Sequence, residues 1–335
     1  VERVDEGLRA ELALSIPHDD GVSPSATLEA AALLHERSKN MDIDVSLEAF
    51  MPSMLASKFE ELSILSEQKG TVDLKLKAEL DETAQLISAE VAVLSERGEL
   101  NLDALSEGAV PYKELGAMAS YDALAGTLKL EQVQITLKDV AFKASADLVL
   151  KAALGQGDFA GRGPIRLSVD EVSQDELASL WPAALKGDNS EKWIVQRMSN
   201  GVFRDVYAQG DLVIDSALEE NSVDIEGLIA GFAFDGMTVN YRDPLPALVG
   251  GKGEGRFDLA KESLEISVTE GYLGGLSVHE GALVFSNIIE KGAGGADLKI
   301  GLKGGFKAVL DYVAQEPIAV KPDFNAGGAA GSVDL

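Results

Sequence analysis

The feature that most constrains this chain is a strict alternation of apolar and charged residues. In "KGTVDLKLKAEL" (69–80), Val72, Leu74 and Leu76 share one parity, while acidic and basic residues take the positions between them. Successive side chains of a strand point to opposite faces, so this segment predicts a strand with one apolar and one charged face. The pattern recurs along the chain, and the intervals between strands are too short for parallel crossovers, which favours an antiparallel meander.

We therefore predict a mainly β protein, an elongated, twisted antiparallel sheet that is curved into a hydrophobic groove and carries short inserted α-helices. No fixed short period is present, which argues against a solenoid or a propeller. The pattern divides the chain into an N-terminal strand plus helical segment (1–69), a first meander (70–172), a helical insertion (173–200) and a second meander (201–335).

Two segments of the N-terminal part favour helix. Residues 23–40 have Ser or Thr as candidate caps, an Ala/Leu face and basic residues in the last turns. Residues 46–68 form a second apolar helical region, interrupted or opened by Pro52. We expect these helices to cap or flank the sheet.

Charge and residue usage exclude several classes of function. The chain has 335 residues, with 29 Lys+Arg against 56 Asp+Glu, which gives a formal charge of −27. Such a charge repels phosphate backbones and anionic membrane surfaces, so we predict no nucleic-acid partner. The absence of cysteine excludes disulfides, thiolate catalysis and Cys-based metal sites. The chain begins at Val1 and is interpreted as a piece of a longer protein.

The sequence gives little support for catalysis. His18 lies beside two aspartates in "PHDDG", which is the only metal-like local cluster and is better interpreted as a solvated turn. His35 falls near the end of a predicted helix, and His279 falls at the end of a predicted strand beside a turn. None has a Ser or carboxylate at a catalytic spacing. We predict that the chain is not an enzyme and has no catalytic residues, metal site or cofactor.

Two glycine-rich stretches resemble phosphate-binding loops only superficially. Neither "GGKGEG" (250–255) nor "GAGGAD" (292–297) has the Gly-x-x-x-x-Gly-Lys-Ser/Thr spacing, and neither connects a parallel strand to a helix. Both are interpreted as hairpin turns between meander strands.

The repeated apolar parity has two interpretations. In a β-sandwich, two sheets cover each other's apolar faces; in an open trough, lipid chains cover the concave face. The trough is favoured by a lining of mid-sized aliphatics without bulky aromatic plugs, and by a densely charged opposite parity. The candidate lipid-groove lining comprises the inward residues of the successive strands, namely Val72, Leu74, Leu76, Val91, Val93, Leu128, Leu130, Val133, Ile135, Leu137, Phe142, Leu148, Leu150, Ile165, Leu167, Val169, Leu212 and Ile214.

Several segments, in their order, carry a family resemblance. Residues 119–148, "ASYDALAGTLKLEQVQITLKDVAFKASADL", and the helix-then-"GTV"-strand segment 50–93 resemble the AsmA-like superfamily of Gram-negative envelope proteins, which includes TamB-related members. Residues 180–214, with a Trp-Pro helix and a second Trp helix, and residues 225–288 are similar to the central domain of YhdP-type members. Together the similar segments cover most of residues 45–310.

The resemblance implies a periplasmic protein that is anchored in the inner membrane by a helix outside this chain. It implies an apolar groove that carries phospholipid towards the outer membrane, as part of cell-envelope lipid transport and outer-membrane biogenesis. The ligand would be phospholipid or another acyl-chain molecule. Two alternatives stay open: a periplasmic assembly factor that binds outer-membrane or secreted proteins by β-augmentation, and a structural β-sandwich with a closed core.

Overall fold

The computed structural model shows a mainly β protein. Its described residues contain twenty strands and four short helical segments, and the long strands of its meanders pair in antiparallel fashion. The predicted class, mainly antiparallel β with short inserted helices, is confirmed. The described residues are 1–17, 25–56, 68–100, 108–151, 160–181, 186–187, 191–215, 222–288, 295–320 and 331–334.

The chain forms two compact units. Unit 1 comprises the described residues within 1–103, 107–167 and 209–226, and unit 2 comprises those within 168–208 and 227–335. Three long strands contribute residues to both units.

Unit 1 is built on a meander in which each long strand pairs with the next long strand. Its strands up to residue 150 are β1 (Glu2–Val4), β2 (Gly7–Ile16), β3 (Ala26–His35), β4 (Met41–Phe50), β5 (Lys69–Gly70), β6 (Val72–Leu80), β7 (Leu86–Ser95), β8 (Gly98–Leu100), β9 (Val110–Asp122), β10 (Thr127–Leu137) and β11 (Val140–Leu150). The pairing order of the long strands is β2, β3, β4, β6, β7, β9, β10 and β11. The short strands β1, β5 and β8 pair at the margins.

Most of the remaining strands form the sheet of unit 2. They are β12 (Ala160–Ser173), β13 (Met198–Ser199), β14 (Val202–Asp215), β15 (Ser222–Val239), β16 (Leu248–Asp258), β17 (Ser263–Leu273), β18 (Leu276–Ser286), β19 (Gly295–Gly305) and β20 (Ser332–Asp334). In unit 2 the meander runs from β15 through β16, β17, β18 and β19 to β20.

The helix predicted over residues 23–40 is wrong. Residues 26–35 form strand β3, which pairs along its whole length with β2 and along most of it with β4. Ala and Leu have high intrinsic helix propensity, but here pairing on both edges overrides it. As a strand, the segment places Leu28 directly between Leu14 and Leu47.

The other predicted helical regions are only partly helical. Of residues 46–68, the first five belong to β4, a single helical turn α1 (Ser53–Ala56) follows, and 57–67 lie outside the described residues. The insertion 173–200 contains α2 (Gln174–Ser179), a π-helix (Lys192–Arg197) and strand β13. A capping box fixes the start of α2: the Ser173 hydroxyl accepts from the Glu176 backbone, and the Ser173 backbone donates to the Glu176 carboxylate.

Two local features shape the strands of unit 2. Strand β15 continues through a register shift between Phe234 and Met237. A turn at Gly274 and Gly275, whose φ angles are +54° and +91°, separates β17 from β18. Two consecutive positive φ angles suit a tight hairpin turn and favour glycine at both positions.

A short helix near the C-terminal end covers part of the unit 2 sheet. Helix α3 (Phe306–Val313) buries Val309 and Tyr312. These side chains belong to one apolar cluster with Leu248, Leu273 and Leu276, which come from three successive strands. No helix was predicted at this position, which lies within the predicted second meander.

Candidate functional site: the apolar face of unit 1

Strand registers in unit 1 align apolar side chains into rows that run across the strands. Directly opposed residues of neighbouring strands point to the same side of a sheet, so the pairings define faces. Two rows cross eight strands and two shorter rows cross six and five, and we call the surface formed by these four rows the apolar face. Its rows are Leu12–Ala30–Val45–Leu76–Val91–Ala119–Leu130–Ala146, Ala10–Ala32–Ile43–Ala78–Ala89–Tyr121–Leu128–Leu148, Leu14–Leu28–Leu47–Leu74–Val93–Ala117 and Leu8–Leu34–Met41–Leu80–Leu86.

The rows between them carry most of the charges and lie on the opposite side. One of these rows pairs Asp44 with Lys77 and Lys77 with Glu90, so that charges of opposite sign are direct cross-strand neighbours. Such pairs are exposed, and each contributes only a fraction of a kcal/mol, about 0.2–1. The predicted separation of the apolar and charged parities across β6, β7, β10 and β11 agrees with the registers.

A bulge in β10 keeps the apolar residues of that strand on one side. Leu130 pairs with Ala146, and Val133 pairs with Ala144, so two residues of β10 oppose a single residue of β11. The even-numbered apolar positions before the bulge and the odd-numbered positions after it thus face the same way. Ile135 continues this surface as the direct partner of Phe142.

Exposure of the apolar face changes from one end to the other. On β2, Leu8, Leu12 and Leu14 are 48%, 50% and 46% exposed. On β9 and β11, Tyr121 and Leu148 are only 6% and 2% exposed. Within the described residues, the face is therefore open to solvent at its β2 end and enters a packed core at its β11 end.

The core at the β11 end contains many of the residues predicted to line a groove. Tyr121, Leu148, Leu150 and Leu212 are buried together there. Four further predicted residues are partly buried and pack against this cluster, namely Leu128, Leu130, Ile165 and Ile214. The side chains of this group therefore contact other protein side chains.

The other predicted lining residues are less enclosed. Partial burial is common to most of them, although Leu167 is exposed and Val169 is buried. Those that are partly buried are Val72, Leu74, Leu76, Val91, Val93, Val133, Ile135, Leu137 and Phe142. They occupy β6, β7 and the parts of β10 and β11 that lie beyond the β10 bulge.

Sequence reasoning missed the most exposed part of the apolar face. Strands β2, β3 and β4 contribute Leu12, Leu28 and Val45 to it. The helix assigned to residues 23–40 removed the middle strand from the pattern. The signal that was available is the spacing of Leu28, Ala30, Ala32 and Leu34 on one parity. It is weak because Ala31 and Leu33 on the other parity are also apolar.

The charged face of unit 1 encloses a wide cavity of about 1550 Å³. Its wall includes Asp44, Lys77, Glu90, Lys129 and Asp147, whose charges of both signs alternate across the strands. In the described part of the chain, no group of three or more His, Asp or Glu side chains could hold a metal ion. Its full lining carries nine carboxylate side chains against three basic ones, so the cavity is acidic.

Of the three histidines, two lie among the described residues, and these two belong to different units. His18 lies outside the described residues, and His279 is an exposed residue inside β18, away from the strand end predicted for it. His35 ends strand β3, so its predicted helical position is wrong; its Nε2 lies 2.7 Å from Asp42 Oδ2. The hydrogen bond with the Asp42 carboxylate raises the pKa of His35 above its ordinary value.

Among the described residues, no helix has the length and apolar content needed to cross a membrane. No protein-family model, curated protein or solved structure matches this chain.

Proposed function

We propose that the chain handles lipid, and that acyl chains lie along the apolar face of unit 1. The observation that carries the proposal is the set of four apolar rows, which continue across up to eight strands and are half exposed at the β2 end. Monomeric proteins seldom leave large contiguous apolar surfaces in water, and such surfaces mark sites that bind an apolar partner.

The dimensions of the face suit an acyl chain. The five long strands from β2 to β7, which lie before the packed core, span roughly 19 Å at a spacing of about 4.8 Å. One leaflet of a bilayer core is about 15 Å thick, half of the full ~30 Å. This part of a row thus has room for an extended acyl chain.

The chemistry of the face favours holding a chain without fixing it. Each methylene removed from water contributes about 0.8 kcal/mol, with no specific polar contact required. Because successive residues along the open part of a row are similar aliphatic side chains, an acyl chain that moves by one strand there meets a similar surface. Nearly equal binding at adjacent positions allows a chain to move along the surface.

The AsmA-like resemblance of residues 45–310 gives this proposal its biological setting. In that setting the chain acts in the periplasm of a Gram-negative cell, held at the inner membrane by a segment outside this chain. It transfers phospholipid between the two membranes of the envelope. The proposal uses no catalytic residue and no cofactor.

Photo-crosslinking tests the proposal directly. A benzophenone amino acid placed at Leu76 or Val91 lies on the apolar face, while the same residue at Lys77 or Glu90 lies on the opposite face of the same two strands. We expect phospholipid adducts from the first pair and none from the second. Equal adducts from both faces, or none from either, would contradict lipid binding on this face.

A second candidate function rests on the outer edge of β2. Within the described residues, β1 pairs only with Gly7–Arg9 of β2, so the remainder of that edge has backbone groups available for another strand. An exposed edge of this kind binds an extended peptide by β-augmentation. Peptide adducts from a benzophenone at Ala13, together with no lipid adducts at Leu76, would favour an assembly factor.

A further inference from the structure

Unit 2 contains an apolar cavity of about 80 Å³ between its sheet and the π-helix. The sheet contributes Phe232, Ile266, Val268 and Leu283, and the π-helix contributes Trp193. The cavity belongs to a different unit from the apolar face, so the identity of its ligand is independent of the lipid-handling function proposed for unit 1.

The cavity offers no partner to water, because its wall is formed by apolar atoms. The hydroxyl of Tyr241, one of the lining residues, already shares a 2.8 Å hydrogen bond with the hydroxyl of Tyr312. Burial raises the pKa of Tyr241, so this hydroxyl stays protonated and engaged. A water needs two to four polar partners, and an apolar cavity without them stays dry and accepts apolar guests.

The size of the cavity limits the guest. A cavity of about 150 Å³ takes a benzene ring, and this one has roughly half that volume. It therefore takes fewer carbon atoms than a ring does, and the end of an alkyl chain fits it.

The cavity has an accessible side and an aromatic wall. Leu298 is 52% exposed and lines the cavity, so the cavity reaches the surface beside it. On the π-helix side, Trp193 packs edge-on against Phe285 at 5.2 Å, and the guanidinium of Arg197 lies 5.6 Å from the Trp193 ring. These two contacts hold the indole in place as a wall.

We infer that this cavity binds the end of a single unbranched alkyl chain, which enters beside Leu298 and places its last carbons against Trp193. The chain can come from a free fatty acid or from a phospholipid, because both present the same terminal methylenes. Each buried methylene strengthens binding about fourfold.

Trp193 itself reports on occupancy. The chain has two tryptophans, so Trp181→Phe leaves Trp193 as the only indole. The probe is hexadecanoic acid brominated near its methyl end, since bromine quenches indole fluorescence on contact. We expect saturable quenching of Trp193, and much weaker quenching when the bromine is placed near the carboxylate. Equal quenching by the two isomers would overturn the proposed orientation.

Variants that fill the cavity provide the decisive comparison. Leu283→Phe and, independently, Ile266→Phe add volume to its wall, while Val284→Phe adds the same ring at the next position of β18, on the opposite face of the sheet. Exclusion of two or three methylenes predicts half-saturation at a concentration about 15- to 60-fold higher for the cavity variants. The Val284→Phe control should bind as the parent does.

Circular dichroism establishes that each variant is folded before its binding is compared. Phosphatidylcholine vesicles with chains brominated near the methyl end then identify the source. Quenching by vesicles as well as by fatty acid assigns a phospholipid chain, and quenching by fatty acid alone assigns a free chain. No quenching by either probe, or quenching that is unchanged in both folded cavity variants, would overturn the inference.

Discussion

Phe232 and Gly255 form a direct cross-strand pair in which the phenyl ring occupies the space above the glycine. A Cβ atom at Gly255 would overlap with Cζ of Phe232. The neighbouring pair on the same face repeats the arrangement, with Phe234 opposite Gly253. The stretch 250–255, predicted as a hairpin turn, therefore lies inside β16, where the absence of side chains makes room for two aromatic rings.

This arrangement predicts that Gly255→Ala destabilises unit 2. The added methyl group displaces the ring of Phe232, and overpacking of this kind costs about 1–3 kcal/mol. The midpoint temperature of thermal unfolding should fall by about 2–4 °C for each kcal/mol of lost stability. Gly295→Ala is the matched control because nothing lies within 4 Å of its Cβ position, and equal losses for the two variants would refute the explanation.

The exposure gradient of the apolar face predicts opposite outcomes for the same substitution at its two ends. Leu12→Asp places a carboxylate on a half-exposed position, so unfolding should change little while lipid crosslinking from neighbouring positions falls. Leu148→Asp buries an unpaired charge at a position that is 2% exposed, which costs several kcal/mol. Thermal melting of both variants tests this, and the idea fails if Leu12→Asp unfolds as readily as Leu148→Asp.

The ion pair of His35 with Asp42 predicts a pH-dependent contribution to stability. The pKa of His35 is raised in the folded chain, mainly by its hydrogen bond with Asp42. Folding therefore gains from protonated His35 below its unfolded-state pKa of about 6.5, and the gain disappears as pH rises through the higher folded-state pKa. Titration of the His35 ring by NMR measures this value directly.

The matched comparison for His35 uses two carboxylates on the same strand and the same face. Asp42→Asn removes the hydrogen-bonded partner and should lower the pKa of His35 towards its ordinary value. Asp44→Asn, two residues further along β4, should change it much less. If both substitutions shift the His35 titration equally, the hydrogen bond is not the main cause.

The hydroxyl pair of Tyr241 and Tyr312 predicts non-additive mutational effects. Tyr312→Phe removes the hydrogen-bond partner of the partly buried Tyr241 hydroxyl and should cost about 1 kcal/mol. Tyr241→Phe together with Tyr312→Phe removes both polar atoms and should cost less than the sum of the single changes. Urea unfolding of the four proteins completes the cycle, and strictly additive values would show that the hydroxyls are not coupled.

Alternation in the sequence was sufficient to predict strands β6, β7, β10 and β11 and the face that each residue occupies. It succeeded there because charges such as Lys75 and Lys77 separate the apolar positions. It failed for β3, where Ala31 and Leu33 leave both parities apolar, and where the helix propensity of Ala and Leu favoured the other conformation. The pairing of β3 with both of its neighbours decides its conformation. That pairing cannot be predicted from the local sequence of one chain.

Predicting the candidate sites would require knowledge of contacts between residues that are far apart in the sequence. The residues assigned to a groove include Leu148 and Leu212, which pack in a core, because parity gives the face of a residue and not the depth of what lies above it. The glycines opposite Phe232 and Phe234 were predicted as turns, since glycine signals both a turn and a close approach. The cavity beneath Trp193 combines β15 with the π-helix, and no local pattern predicts it.

The bulge of β10 has a consequence for comparing this chain with others. Because two residues of β10 share one partner position, the apolar positions before and after the bulge differ in parity by one residue. A relative that lacks the bulge would keep the same surface with one residue fewer. Residue identity would then fall out of step along that strand, while each side chain kept its place in the rows. Similarity among such chains is therefore found by comparing residues at equal cross-strand positions. An alignment that forbids a single-residue gap at Glu131 or Gln132 would miss this similarity.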